Sequence, residues 1–151
     1  MTLVRNLSAN DWHDGFDGAL LQTDEPPQAY LTIARQGPCI NDEIWHVGFP
    51  MRTRRNEKQL WKKGYEDADG GLRVSLGKIT EIKDHNFHAD ADSFSGNSGS
   101  PAVSRTGEVL GYVWNVHPDE EASRRAKDFH GGTIYISALA TAKKLRLPDQ
   151  E

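Results

Sequence analysis

The chain holds one cysteine, Cys39, in 151 residues, so no intrachain disulfide can form. Following Gly37-Pro38 and preceding Ile40, it reads as a small apolar packing residue rather than a reactive thiol. No apolar run reaches the length that crosses a bilayer, and the first residues lack the apolar core of a signal peptide. Internal repeats and low-complexity segments are absent too. Positive charge is not in excess: the formal net charge is -4, which argues against general nucleic-acid or anionic-membrane binding. One local cluster (Arg52, Arg54, Arg55, Lys58, Lys62 and Lys63) runs against that balance and reads as a solvated loop. Charged residues make 26% of the chain and hydrophobic ones 36%, a globular composition of somewhat polar character. The length suits one ordinary domain and is too short for two.

What is present is a succession of short apolar runs separated by turns. Ala19-Leu20-Leu21 and Ala29 to Ala34 read as two strands flanking the Pro26-Pro27 turn. Glu43 to Pro50 reads as a strand ended by its proline. Arg73 to Ile82 alternates Val74, Leu76, Ile79 and Ile82 with polar residues, which predicts a strand with an irregularity near Gly77. His85 to Ala91 leads into a glycine-serine loop, and Ala102-Val103-Ser104 and Val109 to Trp114 flank an Arg105-Thr106-Gly107 turn. A charged excursion, Asp119 to Lys127, precedes the last strand, Thr133 to Ile136. Ser137 is placed to cap a terminal helix through Leu145, with Leu139, Ala142 and Leu145 on its apolar face. Many short strands with one C-terminal helix predict an antiparallel β-barrel.

The most informative stretch is Gly96-Asn97-Ser98-Gly99-Ser100-Pro101. Its glycines permit a tight turn and close main-chain approach, and Ser98 stands between them. The pattern suits one serine hydroxyl held beside a backbone anion hole made by the N–H groups of Gly96 and Ser98. With the hairpin that follows, ending in Val109-Leu110-Gly111-Tyr112-Val113-Trp114, the hexapeptide resembles the trypsin-like (chymotrypsin-fold) serine peptidases. It is similar to the bacterial branch that writes Asn before the serine.

The resemblance implies an all-β fold: the second barrel of that family with its closing helix over residues 38–151, and a remnant of the first barrel over residues 1–37. It implies a polypeptide substrate, hydrolysis through an acyl-enzyme, and no cofactor. The compartment stays open, with a secreted or periplasmic setting suggested by the family alone. Phe16-Asp17-Gly18-Ala19-Leu20-Leu21 resembles the family segment whose aspartate orients the catalytic histidine, which gives Asp17 that role. A serine hydroxyl is a poor nucleophile without such a base. The family's Thr-Ala-Ala-His type segment has no counterpart before Asp17, where His13 is the only histidine. His46, His85, His88, His117 and His130 match no triad position. The base is therefore expected from a missing N-terminal segment or from a partner, or it has been lost.

Asn97 replaces the aspartate that in animal relatives pairs with a newly freed amino terminus, an ion pair an amide cannot make. Asp92 lies six residues before Ser98, where the trypsin branch places the carboxylate that receives Lys or Arg. Asp92-Ser93 also resembles a pair common in bacterial members of varied preference. Registration puts Val116 and Thr133 on the pocket walls, and Trp114, Asn115 and Val116 on an edge that would pair with substrate backbone. The side-chain preference stays undecided. A different class, an inactive module binding extended peptides on the same edge, is the alternative. Metal binding by His85, His88, Asp90 and Asp92 is disfavoured because alternate strand residues face opposite sides.

Overall fold

The structure, a computed structural model, describes residues 1–7, 16–51, 71–116 and 132–147. His13, His117, His130, the basic cluster at 52–63 and the charged excursion at 119–127 lie outside the described residues. Among the described residues, eight strands and one helix follow in chain order: β1 Thr2–Asn6, β2 Ala19–Gln22, β3 Glu43–Gly48, β4 Arg73–Lys83, β5 Asn86–Ala89, β6 Pro101–Ser104, β7 Val109–Val116, β8 Thr133–Ser137 and α1 Ala138–Leu145. β1 and β2 form a two-stranded sheet, and the other six close into a barrel in the order β3-β4-β5-β8-β7-β6. All these pairings are antiparallel. The expected antiparallel barrel with a C-terminal helix is what the chain forms.

Inside the barrel, Ile44, Ile79, Phe87, Ala89, Ala102, Val113 and Tyr135 make the principal core. Phe87 and Tyr135 stack with centroids 5.0 Å apart and planes inclined by 12°, an offset geometry aromatic rings favour. A second cluster of Leu7, Phe16, Ile136 and Leu145 joins the β1–β2 sheet to the outside of β8 and to α1. Tyr135 and Ile136 serve the two clusters because successive strand residues face opposite sides.

The facing of β4, which the sequence left open, is settled here, and three local expectations need correction. Val74 and Leu76 face outward, 52% and 70% exposed, opposite Val47 and Trp45 across the β3–β4 ladder. Their apolar alternation marks an outer row, while the smaller Ser75 and Gly77 share the inward phase of buried Ile79. The irregularity falls between Ile79 and Glu81 in the β4–β5 pairing, whereas Gly77 sits in regular register with Ile44. Ala29 to Ala34 is not a strand: it meets the barrel at one parallel bridge, Ile33 to Val109, and without a continuous ladder partner the run stays extended loop. On α1 the buried residues are Ala138, Thr141 and Leu145, one step round from the expected Leu139 and Ala142. The cap is as read from the sequence, with Ser137 accepting from the Ala140 amide.

Candidate functional site

The loop from Phe94 to Ser100 is folded by its own main chain. Asn97 N–H donates to the Phe94 carbonyl at 3.0 Å, and Ser100 N–H donates to the Asn97 carbonyl at 2.9 Å. Two bonds moor it to β7: Gly99 N–H to the Val113 carbonyl and Val113 N–H to the Ser100 carbonyl, both 2.9 Å. A third runs from Met51 N–H to the Ser95 carbonyl at 2.8 Å. Gly96 and Gly99 hold φ of 94° and 79°, a region that side chains with a Cβ rarely enter. At Gly96 a Cβ would also lie 2.6 Å from the Phe49 carbonyl oxygen.

This folding sorts the two central side chains. Asn97 is buried at 3% exposure and Ser98 is exposed. The Asn97 carbonyl is turned toward Ser100 N–H, and a trans peptide directs the Ser98 N–H the opposite way. Neither the Gly96 nor the Ser98 amide donates to another group among the described residues. A hydroxyl and two uncommitted amide donors on one tight bend can receive an oxyanion.

Below the loop, β3 supplies a floor. A Cβ at Gly48 would stand 2.7 Å from both Asn97 Oδ1 and Ser100 Oγ, so the absent side chain is what lets Asn97 settle. Two positions along the same inward face lies His46, 1% exposed, with Nδ1 3.0 Å from the Tyr135 hydroxyl. Burial pushes the His46 pKa down to about 4 and, chiefly for the same reason, raises that of Tyr135. His46 is therefore neutral near pH 7. Sequence reading assigned it no role; the Ile44-His46-Gly48 alternation within a buried strand was the signal available.

The Asp92 segment is held from both sides. Asp92 N–H donates to Ser75 Oγ at 2.8 Å, and Asp90 N–H donates to the Lys78 carbonyl at 3.1 Å. Gly77 admits the chain, because a Cβ there would meet the Ala91 backbone at 2.5 Å. From β8, buried Thr133 donates its hydroxyl to the Ala91 carbonyl at 2.7 Å, so Thr133 holds this segment from behind. Asp92 and Ser93 are half-buried.

Trp114 sits at an irregularity between Val113 and Asn115 in the β7–β8 register. Pairing with β6 stops at Tyr112 opposite Pro101. From Trp114 to Val116, β7 is thus laddered to a named strand on one side only.

Asp17 is exposed and follows buried Phe16. A Cβ on the next residue, Gly18, would lie 3.0 Å from the Tyr112 hydroxyl, which bonds Thr141 at 3.0 Å. Burial raises the Tyr112 pKa, the Thr141 bond opposes this, and the Asp17 charge adds to it. Gly18, beside Asp17, and the Ser98 loop thus both approach β7, at Tyr112 and at Val113. The described histidines are engaged elsewhere: His46 with Tyr135, His85 stacked on Phe16 at 4.3 Å, and His88 Nδ1 3.0 Å from Glu81. His85, His88, Asp90 and Asp92 do not form a metal-holding group among the described residues.

The fold is similar to solved proteases. The Rv3671c protease of M. tuberculosis in its active form is similar at a TM-score of 0.59 and 19% identity, over 89% of this chain and 55% of that one. A serine-to-alanine mutant of the same protein, in an inactive form, is similar at 0.59 and 18%, over 86% and 58%. A Glu endopeptidase is similar at 0.54 and 17%, over 78% and 45%. The chain thus spans less than two thirds of the length of these structures. A sequence model of the trypsin-like peptidase domain matches residues 2–111. Since that match takes in most of the chain, from β1 through the serine loop and into β7, the protein belongs to the trypsin-like peptidase domain family.

Proposed function

We propose that this chain carries the nucleophile and the orienting acid of a serine endopeptidase. One observation carries the reading: Ser98 is exposed on a left-handed bend whose Gly96 and Ser98 amides donate to no other described residue. Ser98 Oγ attacks the carbonyl carbon of a peptide bond, and its proton passes to a histidine base. The two amides hold the resulting oxyanion. The base then gives its proton to the departing amine, and water hydrolyses the ester. Asp17 orients that base, and the base comes from outside these residues, carried by an upstream segment or a partner. Residues 1–37 are then a remnant of a first barrel, and residues 38–151 the second.

The nucleophile motif follows the bacterial branch of the family. Asp92 and Ser93, with Thr133 behind them, form the side-chain pocket, and Trp114 to Val116 receive the substrate backbone. Without its base the site retains only anion binding, worth roughly 10³–10⁴-fold over water. Incubated with a fluorophosphonate probe, a longer form that includes a Thr-Ala-Ala-His type segment should label, and Ser98→Ala should abolish labelling. A well-folded longer form that never labels overturns the endopeptidase reading. The pairing of Trp114 to Val116 with a named strand on one side only favours a second reading, a module that binds extended peptides without cleaving them. Peptide binding that survives in an unlabelled longer form would support it.

A further inference from the structure

Ile44, His46 and Gly48 alternate onto the inward, buried face of β3. Two residues on one face of a strand are separated by roughly 6.5–7 Å. Asn97 Oδ1 occupies the space in front of Gly48, 2.7 Å from where its Cβ would be. It therefore lies on the same inward face of β3 as His46, toward the Gly48 end. Both groups end in a buried polar atom with no partner among the described residues: His46 Nε2 and Asn97 Oδ1. Each such atom left unmet costs about 1–3 kcal/mol, and native folds meet nearly all of them with protein or ordered water. The two atoms make no direct bond with each other, and one water with hydrogen bonds of about 2.8 Å to each can join them.

We propose that one internal water bridges His46 Nε2 and Asn97 Oδ1, which makes His46 a positioning residue for the loop bearing Ser98. Tyr135 O–H donates to His46 Nδ1, leaving Nε2–H to donate to the water. The water donates one proton to Asn97 Oδ1 and the other to Ser100 Oγ, which lies against the same side of Gly48. That gives the three bonds usual for a buried water. The Asn97 carboxamide is thereby fixed from below while its main chain is fixed by Phe94 and Ser100. The orientation of the Asn97–Ser98 peptide, and with it the Ser98 N–H, follows. The water site stands whether or not Ser98 is a nucleophile; its consequence for oxyanion binding rests on that reading.

The test uses the isotopically labelled chain in solution and needs no activity. Water-selective cross-relaxation should find a long-lived water near both the His46 ring proton and the Asn97 side-chain amide. Nitrogen shifts of the ring should report the neutral Nε2–H form. His46→Phe keeps a ring and removes the donor. Hydrogen exchange at Asn97 and Ser100, whose amides are bonded within the loop, should rise about tenfold, while β5 and β8 amides keep their protection. His46→Gln, which can donate to the same water, should restore most of that protection. A barrel that stays folded with unchanged exchange at Asn97 and Ser100 overturns the positioning role. A direct His46–Asn97 bond in the wild-type chain, or no long-lived water there, overturns the bridge, and this holds even if His46→Phe fails to fold. Failure of Ser98 to label leaves both measurements standing.

Discussion

The barrel and the β1–β2 sheet are built on opposite plans. Six strands close on themselves, so every barrel strand has two named neighbours, and the close approaches inside depend on small residues such as Gly48 and Gly77. The sheet has two strands and leans on the barrel through one apolar cluster. Leu3, Val4 and Leu21 on that sheet are about half exposed, at 56%, 55% and 48%. A two-stranded sheet is marginal by itself. The comparison teaches that the loop bearing Ser98 draws its rigidity from the closed unit, whereas Asp17 depends on a contact that can open separately.

The largest expected effect separates the two units. Phe16 stacks on His85, takes Lys144 Nζ at 4.6 Å over its ring and fills the second cluster. Phe16→Ala should cost about 3–5 kcal/mol at that contact. Hydrogen exchange should then show Leu3 and Leu20 amides losing protection while Phe87 and Ile136 amides keep theirs. Loss of both sets together would mean that the two regions are one cooperative unit.

The next effect works from inside the barrel. His46 is held neutral, with its folded pKa near 4 against an ordinary value of about 6.5. Below about pH 6.5 the unfolded chain takes up a proton that the folded chain refuses, so stability falls as the pH drops toward 4. The loss should approach about 3 kcal/mol. Urea unfolding followed between pH 7 and 4 should show this slope in the wild-type chain and a flatter one in His46→Gln. Equal slopes in both would remove His46 as the cause.

The smallest effect is confined to the floor of the loop. Gly48→Ala puts a methyl group 2.7 Å from Asn97 Oδ1 and Ser100 Oγ, an overpacking that costs about 1–3 kcal/mol. Backbone shifts should change at Asn97, Ser98 and Ser100 and stay fixed in β1 and β2. A change spread over both regions would undo the distinction between them.

Most barrel strands were legible because their apolar runs are short and bounded by proline, glycine or a polar turn, as at Glu43 to Pro50 and Val109 to Trp114. The cap at Ser137 was legible because its chemistry is local. The phase of β4 was not: Val74 and Leu76 alternate as core residues do, yet they cross-pair outward with Val47 and Trp45. Only the identity of the neighbouring strand distinguishes those cases. β1 was missed because Thr2–Asn6 is a strand by virtue of its partner at residues 19–22. In the candidate site the glycine bend is written locally at Gly96 and Gly99. The support beneath it comes from Gly48, Ser75, Gly77 and Tyr135, brought together only by closure.

Between β2 and β3 the polypeptide crosses the surface as a strap, every residue from Thr23 to Thr32 exposed. Its attachment to the barrel is the bridge at Ile33, backed by hydrogen bonds between Val109 and its neighbours Thr32 and Ala34. Severing a peptide bond within that strap would break the covalent path yet spare the contact of Leu7 and Phe16 with Ile136 and Leu145. The two pieces would travel together as a complemented pair, and mixing separately made halves would rebuild the whole.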